Sequence, residues 1–269
     1  MTPPDPSPGP LLTRLPIRRL SVAGWDELED VVAVEEPLEL RVEAPEGGGP
    51  LSVTMRTPGH DLHLTRGWLH AEGLSEAVEE TWQQPDLPNV VWLRGDTAAL
   101  LSARRTTATS SACGVCGSGS VERLMLRAPP PVWTAPPLPP GLIARLPELL
   151  RAAQPAFQAS GGLHAAGLFD PAGTLLAAYE DVGRHNAVDK VVGASLAELP
   201  LNDRVLVTSS RAGFEIVQKA VLAGVAVVVT VGAPSSLAID TAASFGVTLL
   251  GFVRQGRFNV YAGAERVQD

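Results

Sequence analysis

Hydrophobic and polar residues alternate in two segments of the first half of the chain. Residues 38–43 and 51–56 place an apolar side chain at every second position, the period of a half-buried strand. A Gly- and Pro-rich segment, residues 44–50, separates them, so the pattern predicts a β-hairpin. A helix is predicted at 62–71, with Asp61 as its N-cap.

Short apolar runs alternate with helical patterns after residue 140. The predicted strands there are 163–169, 174–179, 204–209, 225–231, 247–253 and 258–261, and the predicted helices are 142–153, 187–198, 212–223 and 236–245. One more strand, 90–93, is predicted in the first half of the chain. An Asp-Pro-Ala-Gly turn makes 163–169 and 174–179 a hairpin. The later alternation of strand and helix predicts an α/β fold with a largely parallel sheet that is covered on both faces.

The Pro content divides the chain into four parts. Residues 1–15 are expected to be a disordered Pro-rich tail, and residues 16–105 an N-terminal α+β subdomain. Residues 106–140 are expected to form a flexible Cys-x-x-Cys loop and a stiff Pro-rich linker. Residues 141–269 then form the α/β domain.

Charge and hydropathy exclude several classes of protein. The chain has 21 basic and 29 acidic residues, a net charge of −8, which argues against partners such as nucleic acid or an anionic membrane surface. No run of 18 apolar residues is present, and the first ten residues lack the basic region of a signal peptide. We therefore expect a cytoplasmic protein without membrane spans.

The chain contains two cysteines, Cys113 and Cys116, in a segment of small and hydroxylated residues. Two cysteines cannot form a disulfide scaffold, a four-cysteine zinc site or an iron–sulfur cluster. A Cys-x-x-Cys pair can be redox-active, bind metal, carry sulfur as a persulfide, or be structural and buried. His70 and Glu72 add a superficial match to zinc deaminases, but Ala112 stands where those enzymes have Pro.

Three predicted turns follow consecutive strands of the α/β domain: 209–213, 232–236 and 254–257. They combine small residues with hydroxyl groups or with Arg211, Arg254 and Arg257. Ligands of open α/β sheets bind at the carboxyl ends of the strands, so these turns favour an anionic or nucleotide-like ligand, with ordinary βα turns as the alternative. A dense polar cluster at 180–190, which includes His185, and a separate His164 receive no assigned role.

Several motifs along the chain resemble those of the FdhD/NarQ family, the formate dehydrogenase accessory sulfurtransferases. The matching residues are 57–59, 66–73, 111–117, 161–166, 180–190, 210–219, 233–238 and 251–261, and the resemblance covers about residues 35–262. The sequence departs from the family at His70, where an aromatic residue is usual, and at Ala112 and Gly213, where Ser is frequent.

The resemblance implies a sulfur carrier. A cysteine desulfurase would load sulfur on Cys113 as a persulfide, with Cys116 as its partner thiol. The acceptor would be the bis-molybdopterin guanine dinucleotide cofactor of formate dehydrogenase, with no tightly bound metal in the carrier itself. The family's cofactor-binding segment maps onto Phe252, Val253, Arg254, Gln255, Gly256 and Arg257, to which the predicted turns add Arg211.

The resemblance also implies a fold and an assembly. Members resemble cytidine deaminases without their zinc, carry an extra N-terminal part, and are typically homodimers. Two other functions stay open: a molybdenum-cofactor chaperone that moves no sulfur, and a zinc-dependent deaminase-like hydrolase.

Overall fold

The computed structural model describes residues 11–45, 48–104 and 128–269. This part of the chain contains three β-sheets and seven α-helices. No helix within it has the length and apolar character needed to cross a membrane. Cys113 and Cys116, together with the loop predicted around them, lie outside the described residues.

The first sheet is a two-stranded antiparallel hairpin of β1 (Leu12–Ser21) and β2 (Gly24–Ala33). The prediction of a disordered tail over 1–15 is therefore wrong for residues 12–15. The hairpin has no clear sequence signal, because most of its side chains are exposed and charged residues occupy both faces. Without a buried face, a strand has no need for alternating apolar residues.

The second sheet has the strand order β4-β3-β6-β5. Its strands are β3 (Glu36–Val42), β4 (Gly49–Arg56), β5 (Val78–Gln84) and β6 (Leu87–Gly95). The predicted β3–β4 hairpin and the strand at 90–93 are confirmed. Two helices, α1 (Asp61–Glu72) and α2 (Thr97–Ser102), contribute apolar side chains to the core of this sheet.

Asp61 does not cap α1, so that prediction was wrong. His60 occupies the cap position with a φ of 56°, and Asp61 is the first helical residue. The Asp61 carboxylate instead accepts hydrogen bonds of 3.1 and 2.8 Å from Nε and Nη2 of the buried Arg56. A two-point bond to a guanidinium is stronger than a bond to a backbone N–H, which explains the difference.

The third sheet has six strands in the order β12-β11-β10-β9-β7-β8. They are β7 (His164–Phe169), β8 (Leu175–Asp181), β9 (Val205–Thr208), β10 (Val227–Thr230), β11 (Thr248–Arg254) and β12 (Arg257–Ala262). Strands β9, β10 and β11 are parallel, as predicted, whereas β7, β8 and β12 join by antiparallel pairing. The sheet is therefore mixed, and the prediction of a largely parallel sheet was wrong, because antiparallel strands extend both ends of the parallel centre.

Helices cover both faces of this sheet, which confirms the predicted layering. They are α3 (Pro140–Ala152), α4 (Pro155–Ser160), α5 (Arg184–Ala194), α6 (Phe214–Ala223) and α7 (Ser236–Ser244). Leu206, Val228 and Leu249 pack with α5, α6 and α7 on one face. Val207 and Val229 pack with α3 on the other face. Successive residues of one strand therefore belong to two different hydrophobic cores.

Residues 128–139, which the sequence predicts to be a stiff Pro-rich linker, are held against the α/β domain by specific hydrogen bonds. The Asp203 carboxylate accepts hydrogen bonds from Thr134 N, Thr134 Oγ1 and Ala135 N at 2.6, 2.6 and 3.0 Å. Leu138 pairs with Val267 near the end of the chain. The prolines stiffen this segment, and these bonds fix its position.

Helices α1 and α5 join the two halves of the molecule at a backbone-to-backbone contact. A Cβ placed on Gly67 of α1 would lie 2.7 Å from the carbonyl carbon of Asp189, and one on Gly193 of α5 would lie 2.7 Å from that of His63. Real Cβ atoms do not approach backbone so closely, so only glycine permits this crossing.

Candidate functional site

The carboxyl ends of β9, β10 and β11 bring the three predicted turns together. Gly232 N donates to Ser210 O at 3.0 Å, which joins the first turn to the second. Phe252 N donates to Gly232 O at 3.1 Å, which joins the end of β11 to the same turn. The predicted proximity of these segments is therefore confirmed.

A cavity of about 510 Å³ opens beside this edge of the sheet. Its polar lining comes from α3 and the residues after it, the start of β7, and the ends of β9 and β11: Glu148, Arg151, Gln154, His164, Ser209, Arg254 and Gln255. Phe157 and several aliphatic side chains form the rest of its wall. The volume lies within the usual range of small-molecule sites.

Part of the segment predicted to bind a cofactor reaches this cavity. Val253, Arg254 and Gln255 line it, and the Val253 side chain is buried. Gln255 and Gly256 form a two-residue turn with φ values of 51° and 75°, so that β12 begins at once with Arg257. This geometry is typical of a tight hairpin between antiparallel strands.

The remaining predicted residues lie around the cavity rather than in its lining. Phe252 is exposed, and the Arg254 guanidinium carbon lies 5.9 Å from the centroid of its ring. Arg257 is exposed and paired in register with Arg254. The stem of Arg211 packs over Gly232 in the neighbouring turn.

The cavity lining also includes Arg151, Gln154 and Phe157, which the sequence does not single out. The Arg151 guanidinium carbon lies 4.8 Å from the centroid of the Phe157 ring, which forms a cation–π pair. Gln154 is 3% exposed, and its Nε2 has no hydrogen-bond partner among the described residues. Nothing in the sequence distinguishes it from the exposed Gln158 four positions later.

Two histidines near this edge are held in the neutral form. Burial, and then the positive charge of Arg184, lowers the pKa of His164. Burial and the same arginine lower the pKa of His185 to about 3. His185 Nε2 lies 3.2 Å from Glu215 Oε2, and because the imidazole is neutral at pH 7 this contact is not an ion pair.

The polar cluster at 180–190 is largely structural. Lys190 Nζ lies 2.8 Å from Asp181 Oδ2 and donates to Thr57 O at 3.0 Å, and all three residues are buried. Asn186 Nδ2 donates to Asp181 Oδ1 at 2.9 Å. These contacts fasten the end of β4 to the turn before α5, which accounts for the charged residues that the sequence left without a role.

His70, one residue of the superficial zinc motif, makes a structural contact. His70 Nε2 donates a 3.0 Å hydrogen bond to the carbonyl of Leu222, which ties α1 to α6. Among the described residues, no group of three or more His, Cys, Asp or Glu side chains is arranged to hold a metal ion.

The protein is of the α/β class, with a mixed sheet and a cavity at the carboxyl edge of its parallel strands, which is where ligands of open α/β sheets bind. The family follows from sequence comparison. The profile of the FdhD/NarQ family matches residues 33–268, and the chain belongs to this family.

Individual relatives agree with this membership. The chain is 45% identical over 261 residues to "Sulfur carrier protein FdhD" of Streptomyces coelicolor, covering 88% of this chain and 89% of the relative. A protein of the same name from Nocardia farcinica is 44% identical over 274 residues, covering 97% and 96%. A crystal structure described as a formate dehydrogenase accessory protein from Desulfotalea psychrophila aligns with a TM-score of 0.74 and 24% identity, covering 96% of this chain and 100% of that one, and shows the shared fold.

Proposed function

We propose that this chain is a sulfur carrier that serves formate dehydrogenase. It accepts sulfur from a cysteine desulfurase as a persulfide on Cys113 and passes it to the bis-molybdopterin guanine dinucleotide cofactor, which is its substrate. The curated relatives named as sulfur carriers support the sulfur-carrying role. Binding of the cofactor is supported by the cavity at the sheet edge, which is lined by Arg254 and flanked by turns that bear Arg211 and Arg257.

The chemistry requires two thiols. The desulfurase converts the Cys113 thiol into Cys113–S–SH, in which the outer sulfur is at the sulfane level. When the Cys116 thiolate attacks Cys113 Sγ, a disulfide forms and the outer sulfur leaves as HS⁻, reduced by two electrons. A dithiol reductant of the cell then restores both thiols. Gly114 and Gly117 flank the pair without bulky side chains to hinder either approach.

The cavity and its turns suit the other reactant. The cofactor carries phosphate groups and guanine bases, so arginines at the edge of the sheet supply charge-assisted hydrogen bonds to phosphate. A local cluster of Arg211, Arg254 and Arg257 attracts an anion in spite of the net charge of −8. The deaminase-like fold, the homodimer and the cytoplasmic location are part of the same proposal.

Persulfide mapping tests the proposal. The protein is incubated with a cysteine desulfurase and cysteine, and peptides are analysed by mass spectrometry. We expect one additional sulfur on Cys113 in the wild type and in Cys116→Ala, and none in Cys113→Ala. If Cys113→Ala still activates formate dehydrogenase, sulfur transfer through Cys113 is refuted.

A parallel set of variants separates sulfur transfer from a chaperone role. Replacing both Arg254 and Arg257 by Ala is expected to weaken GDP binding and to leave persulfide formation on Cys113 intact. If the arginine variant no longer activates formate dehydrogenase while both cysteine variants still do, the chain is a cofactor chaperone. Stoichiometric zinc in the purified protein would support the deaminase-like alternative.

A further inference from the structure

The β1–β2 hairpin carries apolar side chains that no hydrophobic core of the described residues covers. In an antiparallel hairpin, residues directly opposite one another point to the same face, and successive residues alternate between the two faces. Ile17 is paired with Leu28, and their face, here called the Ile17 face, also carries Leu15 and Val32. Leu15 is 47% exposed and the other three are half-buried, and none of the four belongs to or packs against one of the three cores.

The opposite face of the hairpin is the one that meets the α/β domain. On that face the Arg18 guanidinium carbon lies 4.9 Å from the centroid of a Trp25 ring. At the base of the hairpin, a Cβ placed on Gly162 would lie 3.5 Å from the Cβ of Ala33, which is on the same face as Trp25. The Ile17 face therefore turns away from this contact.

The outer edges of the hairpin are unfavourable for pairing with another strand. Pro16, in the middle of β1, has no N–H to donate to a neighbouring strand. Strand β2 carries four carboxylates, which would repel a second copy of β2: Asp26, Glu27, Glu29 and Asp30. A two-stranded hairpin alone is marginally stable in water, so we expect a partner to cover it, and the Ile17 face is the surface left for that partner.

Charge identifies the partner, because the two strands of the hairpin carry opposite charges. Every charged residue of β1 is an arginine, and every charged residue of β2 is acidic. On the Ile17 face, Arg19 is directly opposite Asp26. If a second hairpin stacks on this face with aligned strands, a two-fold axis parallel to the strands places each β1 on the partner's β2. Ile17 then packs on the partner's Leu28 and Arg19 lies on the partner's Asp26, and the symmetry repeats both contacts.

We propose that two copies of this chain associate through the Ile17 face, hairpin on hairpin. This inference rests on the proposed function, which includes a homodimer, and it names the surface that forms it. A second copy is the partner that fits, because the charge pattern of the hairpin, turned by the two-fold axis, is complementary to itself.

Analytical ultracentrifugation over a range of protein concentrations tests this interface, and wild type is expected to be a dimer. Arg19→Asp and Asp26→Arg each bring like charges together at two symmetric points, so each is expected to raise the dissociation constant of the dimer at least about tenfold. An equimolar mixture of the two variants restores opposite charges at both points and is expected to form a mixed dimer of about wild-type affinity. Arg14→Asp is the matched control, since Arg14 Nη1 lies 3.9 Å from Glu29 Oε2 on the opposite face, and it is expected to dimerise as wild type does.

The mixture separates an interface from a damaged hairpin. Within either variant, residues 19 and 26 carry the same charge, so recovery can come only from contact between chains. The inference is overturned if wild type is a monomer at every concentration, if either variant dimerises as tightly as wild type, or if the mixture associates no more tightly than each variant alone. Persulfide formation on Cys113 is measured in the same proteins. If wild type dimerises as expected but takes up no sulfur, the proposed function fails and the interface stands.

Discussion

The crossing of α1 and α5 gives a prediction with a calculable sign. In Gly67→Ala, the new methyl group would overlap the Asp189 carbonyl oxygen and lie 2.7 Å from the carbonyl carbon, whereas ordinary contact begins at 3.4 Å. The two helices must therefore move apart, and the overlap with the oxygen sets how far. Both sides of the contact are backbone, so no side chain can rotate away to make room.

Two opposing effects set the size of the change. Alanine in the interior of a helix is more favourable than glycine by about 1 kcal/mol. Overpacking of a close contact typically costs about 1–3 kcal/mol, and a rigid backbone contact favours the upper end. We therefore expect the free energy of unfolding to fall by about 2 kcal/mol.

Urea unfolding followed by circular dichroism measures this change. Gly67→Ala is expected to lower the midpoint of the transition without a change in slope. The control is Gly141→Ala in α3, where an added Cβ meets nothing within 4 Å, so stability should stay equal or rise by up to about 1 kcal/mol. Equal midpoints for Gly67→Ala and wild type would refute the argument that the contact excludes a side chain.

Two further predictions concern buried ionisable groups. Lys190→Met removes the partner of the buried Asp181, and we expect a loss of about 3–5 kcal/mol in unfolding free energy by urea titration, part of which Asp181→Asn in the same chain restores. Full stability of Lys190→Met alone would contradict this. The pKa of His185 is lowered to about 3 in the folded state, so the unfolded chain binds a proton that the folded chain does not as the pH falls below about 6.5. Wild type should therefore lose more stability than His185→Gln between about pH 6.5 and about pH 3, and parallel stability curves for the two proteins would rule out a neutral buried His185.

The sequence predicts the α/β core well because its physical signals are local. Strand β10 is a continuous run of apolar, β-branched residues, and the Asp170-Pro-Ala-Gly173 turn defines the β7–β8 hairpin. Since parallel strands end at one edge, the position of Arg254 beside the other two turns also follows from the pattern.

Other features could not be predicted because distant residues determine them. Asp203 fixes the Pro-rich segment at Thr134, 69 positions away, and no local pattern reveals that bond. Arg56 and Asp61 are only five positions apart, but their bond depends on the burial of both side chains in the folded chain, which the local sequence does not reveal. Gln154 lines the cavity only because the end of α3 packs beside β11, so its position depends on tertiary structure.

The register of the β11–β12 hairpin is expected to favour highly charged ligands at the proposed site. Arg254 and Arg257 are cross-strand partners on either side of a two-residue turn. Like charges directly opposite one another on a ribbon repel, so the hairpin is destabilised until an anion neutralises them. Because the relief of this repulsion grows with the charge of the anion, the hairpin should discriminate against nucleosides and monophosphates before any contact with the base is made.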